Sequence, residues 1–148
     1  MSLSDETSPE GAIRPVAIAL VRRGNELLAS AVRNEQGTVV GWRPPGGLIL
    51  FGEPGPDAIK RSLWQDLQLE IEPRAMRAVL ENFYQRDGAL GHEIVLVYDA
   101  DFKDKRLYSL EAYAGEPHAG LQCRWAPVAD FTSGREMLFP RGLAERLD

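Results

Sequence analysis

The run Pro44-Pro45-Gly46-Gly47 limits this chain more than any other segment, because neither a helix nor a central strand continues through two prolines. The β-branched stretch Val39 to Arg43 reads as a short strand that must end there. The two glycines allow a tight loop in which backbone comes close to whatever binds. Beyond Gly55 the pattern changes: Ile59, Leu63 and Leu67 recur at i, i+4 and i+8, one apolar stripe of a helix. Pro56 suits the first turn of that helix, and Asp57 suits the positive end of its dipole. Pro73 marks the break after it. The centre of the chain is therefore a strand, a glycine loop and a helix whose stripe should pack on a sheet.

The flanking segments supply that sheet. Pro15 to Val21 and Glu26 to Val32 read as a hairpin around the turn signal Arg23-Gly24-Asn25. Ala75 to Arg86 reads as a long bent strand that turns at Asp87-Gly88 into Glu93 to Phe102. Ile94, Val95, Leu96 and Val97 are apolar in succession, the mark of a strand covered on both faces. Lys103 to His118 reads as a loop-rich connection, Leu121 to Ala126 as a further strand and Pro140 to Leu147 as a short C-terminal helix. Strands interleaved with two helices predict the α/β class, a mixed sheet covered by helices, in one domain over residues 12–148. Residues 1–11 are polar and are expected to be disordered.

Composition excludes several function classes. The net charge of −5 argues against a broad nucleic-acid surface, which needs clustered Lys and Arg. The apolar run Pro15 to Val21 is too short to span a bilayer, and the N-terminus lacks the apolar core of a secretion signal, so the expected location is cytoplasmic. Cys123 is the single cysteine and reads as a small buried residue rather than a nucleophile. No Gly-Lys-Ser/Thr follows the glycines, which removes a P-loop nucleotidase.

The segment Gly47 to Leu69 resembles the signature of the Nudix hydrolases. That signature reads Gly, five residues, Glu, seven residues, then Arg-Glu-aliphatic-x-Glu-Glu-x-Gly-aliphatic. Gly47, Glu53, Arg61, Leu63 and Leu69 match it without gaps, and Asp66 conservatively replaces its last glutamate. Ser62, Gln65 and Gln68 depart from it. Trp42-Arg-Pro-Pro-Gly-Gly47, Phe51-Gly52-Glu53, Gly91-His92-Glu93-Ile94-Val95 and Trp125-Ala126-Pro127 also resemble members of the family, so the likeness runs from about residue 13 to the end.

The resemblance implies a Nudix-like α/β/α sandwich with a mixed β-sheet. It also implies cleavage of a pyrophosphate bond, with Mg²⁺ or Mn²⁺, in a nucleoside diphosphate linked to another group. Positions 62, 65 and 66 share one helix face, and in typical members three carboxylates there hold the metal that activates water. Here Asp66 is the one anion on that face, and Gln65 and Ser62 offer only neutral oxygens. Loss of a general base at position 62 alone would cost on the order of 10²–10⁴ in rate. Glu93 is the candidate second carboxylate, which gives Asp66, Gln65 and Glu93 as metal ligands and Glu53, Asp66 and Glu93 as catalytic candidates. Arg61 would tie the loop to the helix through Glu53. Arg33 and Arg43, with Gly46 and Gly47, are candidates to meet the substrate, the solvated surface being the alternative for a lone arginine. Tyr84, Phe83 and Trp125 are candidates to stack on a base or to fill the core, the core being favoured for Phe83. The expected partner is a small nucleotide derivative, with no nucleic acid and no membrane, and a homodimer is in keeping with many relatives. Three functions stay open: a metal-dependent hydrolase working with a reduced ligand set, a Nudix-fold protein that binds or senses a nucleotide without cleaving it, and a dimeric interaction module with no nucleotide role, in which Arg33 and Arg43 would point away from the cleft.

Overall fold

In the computed structural model, which describes residues 11–115 and 121–147, the chain runs β1 (Ile13–Leu20), β2 (Arg22–Arg23), β3 (Glu26–Arg33), β4 (Val39–Arg43), β5 (Gly46–Leu48), α1 (Gly55–Leu67), β6 (Ile71–Arg86), β7 (Ala89–Phe102), β8 (Ala112–Ala114), β9 (Gln122–Pro127) and α2 (Val128–Thr132). One sheet has the order β5-β1-β7-β6. It is mixed: β1 and β7 are parallel, while β5 and β6 are antiparallel to their neighbours. A second sheet joins β2, β3, β9 and β8, with β4 added along β3.

Two apolar layers cover the sheets. The stripe Ile59, Leu63 and Leu67 of α1 is buried against Ala17, Ala19, Tyr98, Ala100 and Phe102. Each of these leucine or isoleucine side chains contributes about 1.5–3 kcal/mol by leaving water. The opposite side holds Val16, Ile18, Val95 and Val97 under Phe131 of α2 and Leu138, Leu143 and Leu147 of the C-terminal segment. The result is the expected α/β/α sandwich with a mixed sheet. The alternation of side chains along each strand makes the two layers the two faces of one sheet, which fixes which residues share a surface.

Several elements differ from expectation, each for a local reason. β6 starts at Ile71 and so includes Pro73. It is an edge strand, and its register shifts between Pro73 and Met76 and again before Ala78, so the missing N–H falls at irregular pairing. Gly46 and Gly47 belong to a strand, β5, rather than to an open loop. The connection after β7 carries a 3₁₀ turn at Lys105–Ser109 and the short strand β8; the rest of it, residues 116–118, lies outside the described residues, as do residues 1–10. The C-terminal segment buries Leu143 and Leu147, but Gly142 at φ 93° interrupts it and only Ala144–Arg146 forms a 3₁₀ turn. α2, five residues long, is too short to show a period. No described helix is long and apolar enough to cross a membrane.

The end of α1 explains one departure from the signature. Gln68, where the pattern has glycine, adopts the left-handed conformation at φ 59°. Its N–H bonds to the Trp64 carbonyl, and the N–H of Leu69 bonds to the Leu63 carbonyl, closing the helix. A side chain in this conformation costs about 1–2 kcal/mol. Gln68 offsets part of that by donating from Nε2 to the Trp64 carbonyl at 3.1 Å. Gln68→Gly should therefore raise the unfolding free energy by roughly 1 kcal/mol in urea titration; an unchanged or lower midpoint would show that the side-chain bond outweighs the strain.

Candidate functional site

The loop before α1 is held by a two-pronged ion pair. Arg61 Nε meets Glu53 Oε2 at 2.8 Å and a terminal Arg61 nitrogen meets Oε1 at 2.9 Å. The same terminal nitrogen donates to the Leu48 carbonyl at 2.8 Å, and the Leu50 N–H donates to Glu53 Oε1 at 3.1 Å. The arginine hydrogen bonds hold the Glu53 carboxyl below its ordinary pKa against the opposing effect of burial. The same pairing raises the Arg61 pKa. β5, loop and helix thus form one rigid unit, with Glu53 spent on structure. Gly46 is needed for the same unit, since a methyl group there would collide with the backbone of Ala17 and Ile18 in β1.

The signature face of α1 holds little charge. Ser62 is 2% exposed, and its hydroxyl finds no hydrogen-bond partner among the described residues. Gln65 is exposed, and its side-chain oxygen accepts from Arg61 at 3.3 Å. Asp66 is half-buried and close enough to Cys123 of β9 to add to the burial that pushes that thiol up to about 12. Gly115, just beyond β8, presses on the Asp66 carbonyl so closely that a methyl group would not fit. Among the described residues no three His, Cys, Asp or Glu side chains group so as to hold a metal ion. The donors present, one carboxylate beside a buried neutral hydroxyl and an engaged amide, do not fit a divalent cation. Asp66, Gln65 and Glu93 are not brought together as a ligand set: Glu93 projects from β7 with Val95 and Val97, into the layer opposite α1.

That opposite face carries a compact charged cluster instead. Register places Arg14 of β1 beside Glu93 of β7, and Glu93 beside Asn82 of β6. Arg14 and Glu93 are 8% and 2% exposed. Asn82 Nδ2 donates to Glu93 Oε1 at 3.0 Å, and an Arg14 terminal nitrogen donates to the Tyr84 hydroxyl. Gly91 makes room for this: it pairs with Tyr84, whose ring occupies the space a side chain at position 91 would need. Arg43, at the end of β4, reaches the same cluster. Burial lowers its pKa, the Glu93 charge opposes that, and the charges of Arg14 and Arg86 reinforce it. Its guanidinium makes no hydrogen bond or ion pair with the described residues. Arg43 and Glu93 are candidates named from the sequence, whereas Arg14 and Asn82 carry no local signal; the register across three strands, which no local motif encodes, sets them beside Glu93.

The other candidates fall elsewhere. Arg33 is exposed and donates to the Gly37 carbonyl at 2.8 Å, within its own hairpin. Trp125 is 8% exposed inside an aromatic group with Phe102, Tyr108 and Tyr113, so it fills the core. Phe83, favoured as a core residue, is 52% exposed and stacks on His92 at 4.3 Å, because the end of the β6–β7 hairpin projects past α1. His92, within β7, also meets Glu81 at 2.9 Å. Asp99 and Asp101 pair with Arg77 and Arg74 at 2.9 Å each.

No model of a known protein family matches this sequence. No curated protein matches it either. Solved structures do resemble it. A MutT NUDIX hydrolase from Burkholderia pseudomallei aligns with TM-score 0.64 over 93% of this chain and 99% of that one, at 18% identity. An ADP-ribose pyrophosphatase from Streptococcus suis aligns with TM-score 0.59 over 92% and 87%, at 14% identity. A MutT protein from Methanosarcina mazei aligns with TM-score 0.57 over 93% and 92%, at 20% identity. The chain has the fold of the Nudix hydrolases, with helix α1 where the sequence resemblance placed it.

Two outcomes follow from these contacts. A buried hydroxyl without a partner costs about 1–3 kcal/mol, so Ser62→Ala should stabilise the protein by roughly 1 kcal/mol in urea titration; a loss of stability would reveal a partner for Oγ. Glu53 has a depressed folded pKa, so its contribution is present above the ordinary carboxylate value of 4.5 and is lost as pH falls through the lower folded value. Glu53→Gln should cost about 1.5–3 kcal/mol at pH 7, and the gap to the parent should close as the pH is taken below 4.5. A gap that does not change with pH would mean that the charge of Glu53 contributes nothing.

Proposed function

We propose that this protein binds a nucleoside diphosphate linked to another group and cleaves it slowly or not at all. The observation that carries the reading is Arg43: a half-buried guanidinium with no hydrogen-bond partner among the described residues, beside Arg14, Glu93 and Tyr84 and next to the Pro-Pro-Gly-Gly turn. A positive charge drawn partly out of water without a hydrogen-bonded acceptor is costly, and an anionic ligand relieves that cost. The Arg43 charge, which has no hydrogen-bonded acceptor among the described residues, suits a phosphate oxygen. Glu93 and Asn82 add an acceptor and an amide for the polar edge of a base or sugar. The fold likeness to proteins described as an ADP-ribose pyrophosphatase and a UDP-X diphosphatase supports this ligand class.

A hydrolytic reading retains one specific support. Asp66 remains on α1 with the Glu53–Arg61 clamp intact, and Mg²⁺ often takes only one or two protein carboxylates when substrate phosphates complete its shell. The decisive test is hydrolysis of nucleoside diphosphate derivatives and triphosphates with Mg²⁺ or Mn²⁺ at high protein concentration, beside Asp66→Ala and Glu93→Ala. The expected outcome is no turnover above these variants. Thermal shift should meanwhile rise with at least one compound, and Arg43→Gln should weaken that binding about tenfold or more, the loss of a charge-assisted contact of about 1.5–3 kcal/mol. Metal-dependent turnover abolished by Asp66→Ala would replace binding with hydrolysis as the function.

A further inference from the structure

The face of α1 on which a cation would sit offers it one half-buried carboxylate and, among the described residues, no free neutral donor beside it. Ser62 is sealed in the core layer, Gly115 is packed on the Asp66 carbonyl, and the Asp66 carboxylate lies near the buried Cys123. Gln65 is drawn off by Arg61. Positive charge is concentrated instead on the far side of the sheet, where Arg14 and Arg43 flank Glu93. In a site with three carboxylates, a divalent ion is needed before a polyphosphate can approach, because the carboxylates repel it. Here that repulsion has been reduced to one half-buried aspartate, and the guanidiniums already have the sign the ligand requires.

We propose that this protein recognises its ligand without a divalent cation: the guanidiniums of Arg14 and Arg43 supply the charge, and α1 binds neither Mg²⁺ nor Mn²⁺. The proposal rests on the nucleotide reading for its ligand, but its metal half stands on the α1 donor set alone. Guanidinium recognition makes affinity sensitive to salt and indifferent to chelator. Metal recognition does the reverse with chelator.

The experiment has two arms on the full chain. In the first, Mn²⁺ is titrated into free protein while free-ion electron paramagnetic resonance and amide NMR line widths are followed. The expected result is an undiminished free-ion signal and no selective broadening of residues 61–67. Stoichiometric uptake with broadening centred on Asp66, lost in Asp66→Ala, would overturn the proposal. In the second arm, ADP-ribose and UDP-glucose are titrated calorimetrically with EDTA or with Mg²⁺. Dissociation constants should agree within about twofold between the two conditions and rise about tenfold or more in Arg43→Gln, with Arg43→Lys intermediate. Equal thermal midpoints show that the variants are folded. Binding seen only with Mg²⁺ overturns the proposal and leaves the nucleotide reading standing. Binding in neither condition removes the nucleotide reading, and the Mn²⁺ arm then decides the metal question by itself.

Discussion

Strand β1 has a hydrogen-bonded neighbour on each side and an apolar layer on each face, and the rest of the molecule is arranged around it. Its parallel pairing with β7 sets Arg14 level with Glu93, while its antiparallel pairing with β5 holds the two glycines alongside it in the sheet. Residues 16 to 21 are all but inaccessible to water. A one-residue slip would exchange the two layers and carry Arg14 to the α1 side. The register that stabilises the core is therefore the same register that assembles the charged cluster.

The two faces of the sheet have divided the labour. On the α1 side, charge is either neutralised in the Glu53–Arg61 pair or reduced to Asp66. On the other side, Arg14 and Glu93 are buried and Arg43 is half-buried beside them. Burial penalises the Arg43 guanidinium, and the charge of Glu93 restores part of the loss. Asn82 and Tyr84 occupy further polar atoms of the group. What remains uncompensated is the positive charge on Arg43, and the functional reading turns on it.

Much of the fold was legible in the sequence because it rests on local signals. The stripe Ile59, Leu63, Leu67 gave the helix and its packing, and Asp87-Gly88 gave the turn between β6 and β7, with both residues at positive φ. The Glu53–Arg61 pair was legible from the resemblance to the Nudix signature. The chemistry was not, because it depends on contacts distant in sequence: Arg14 and Tyr84 are 70 residues apart. Glu93 was a candidate ligand in the sequence, but a linear sequence does not say which face of a strand a residue occupies unless the register of its neighbours is known. Trp125 and Phe83 illustrate the same limit. Both are aromatic residues in strands; one is in the core because β8 and the aromatic group cover it, the other is bare because the hairpin outruns its helix.

The clamp between Glu53 and Arg61 reaches the loop from a different flank of α1 than the one that carries Ser62 and Asp66. Substitutions on the second flank leave the first untouched, so the architecture can be inherited intact while the reaction is traded away. A lineage passing through such changes never has to cross an unfolded intermediate. It keeps the strand, loop and helix joined throughout, whatever the second flank comes to carry.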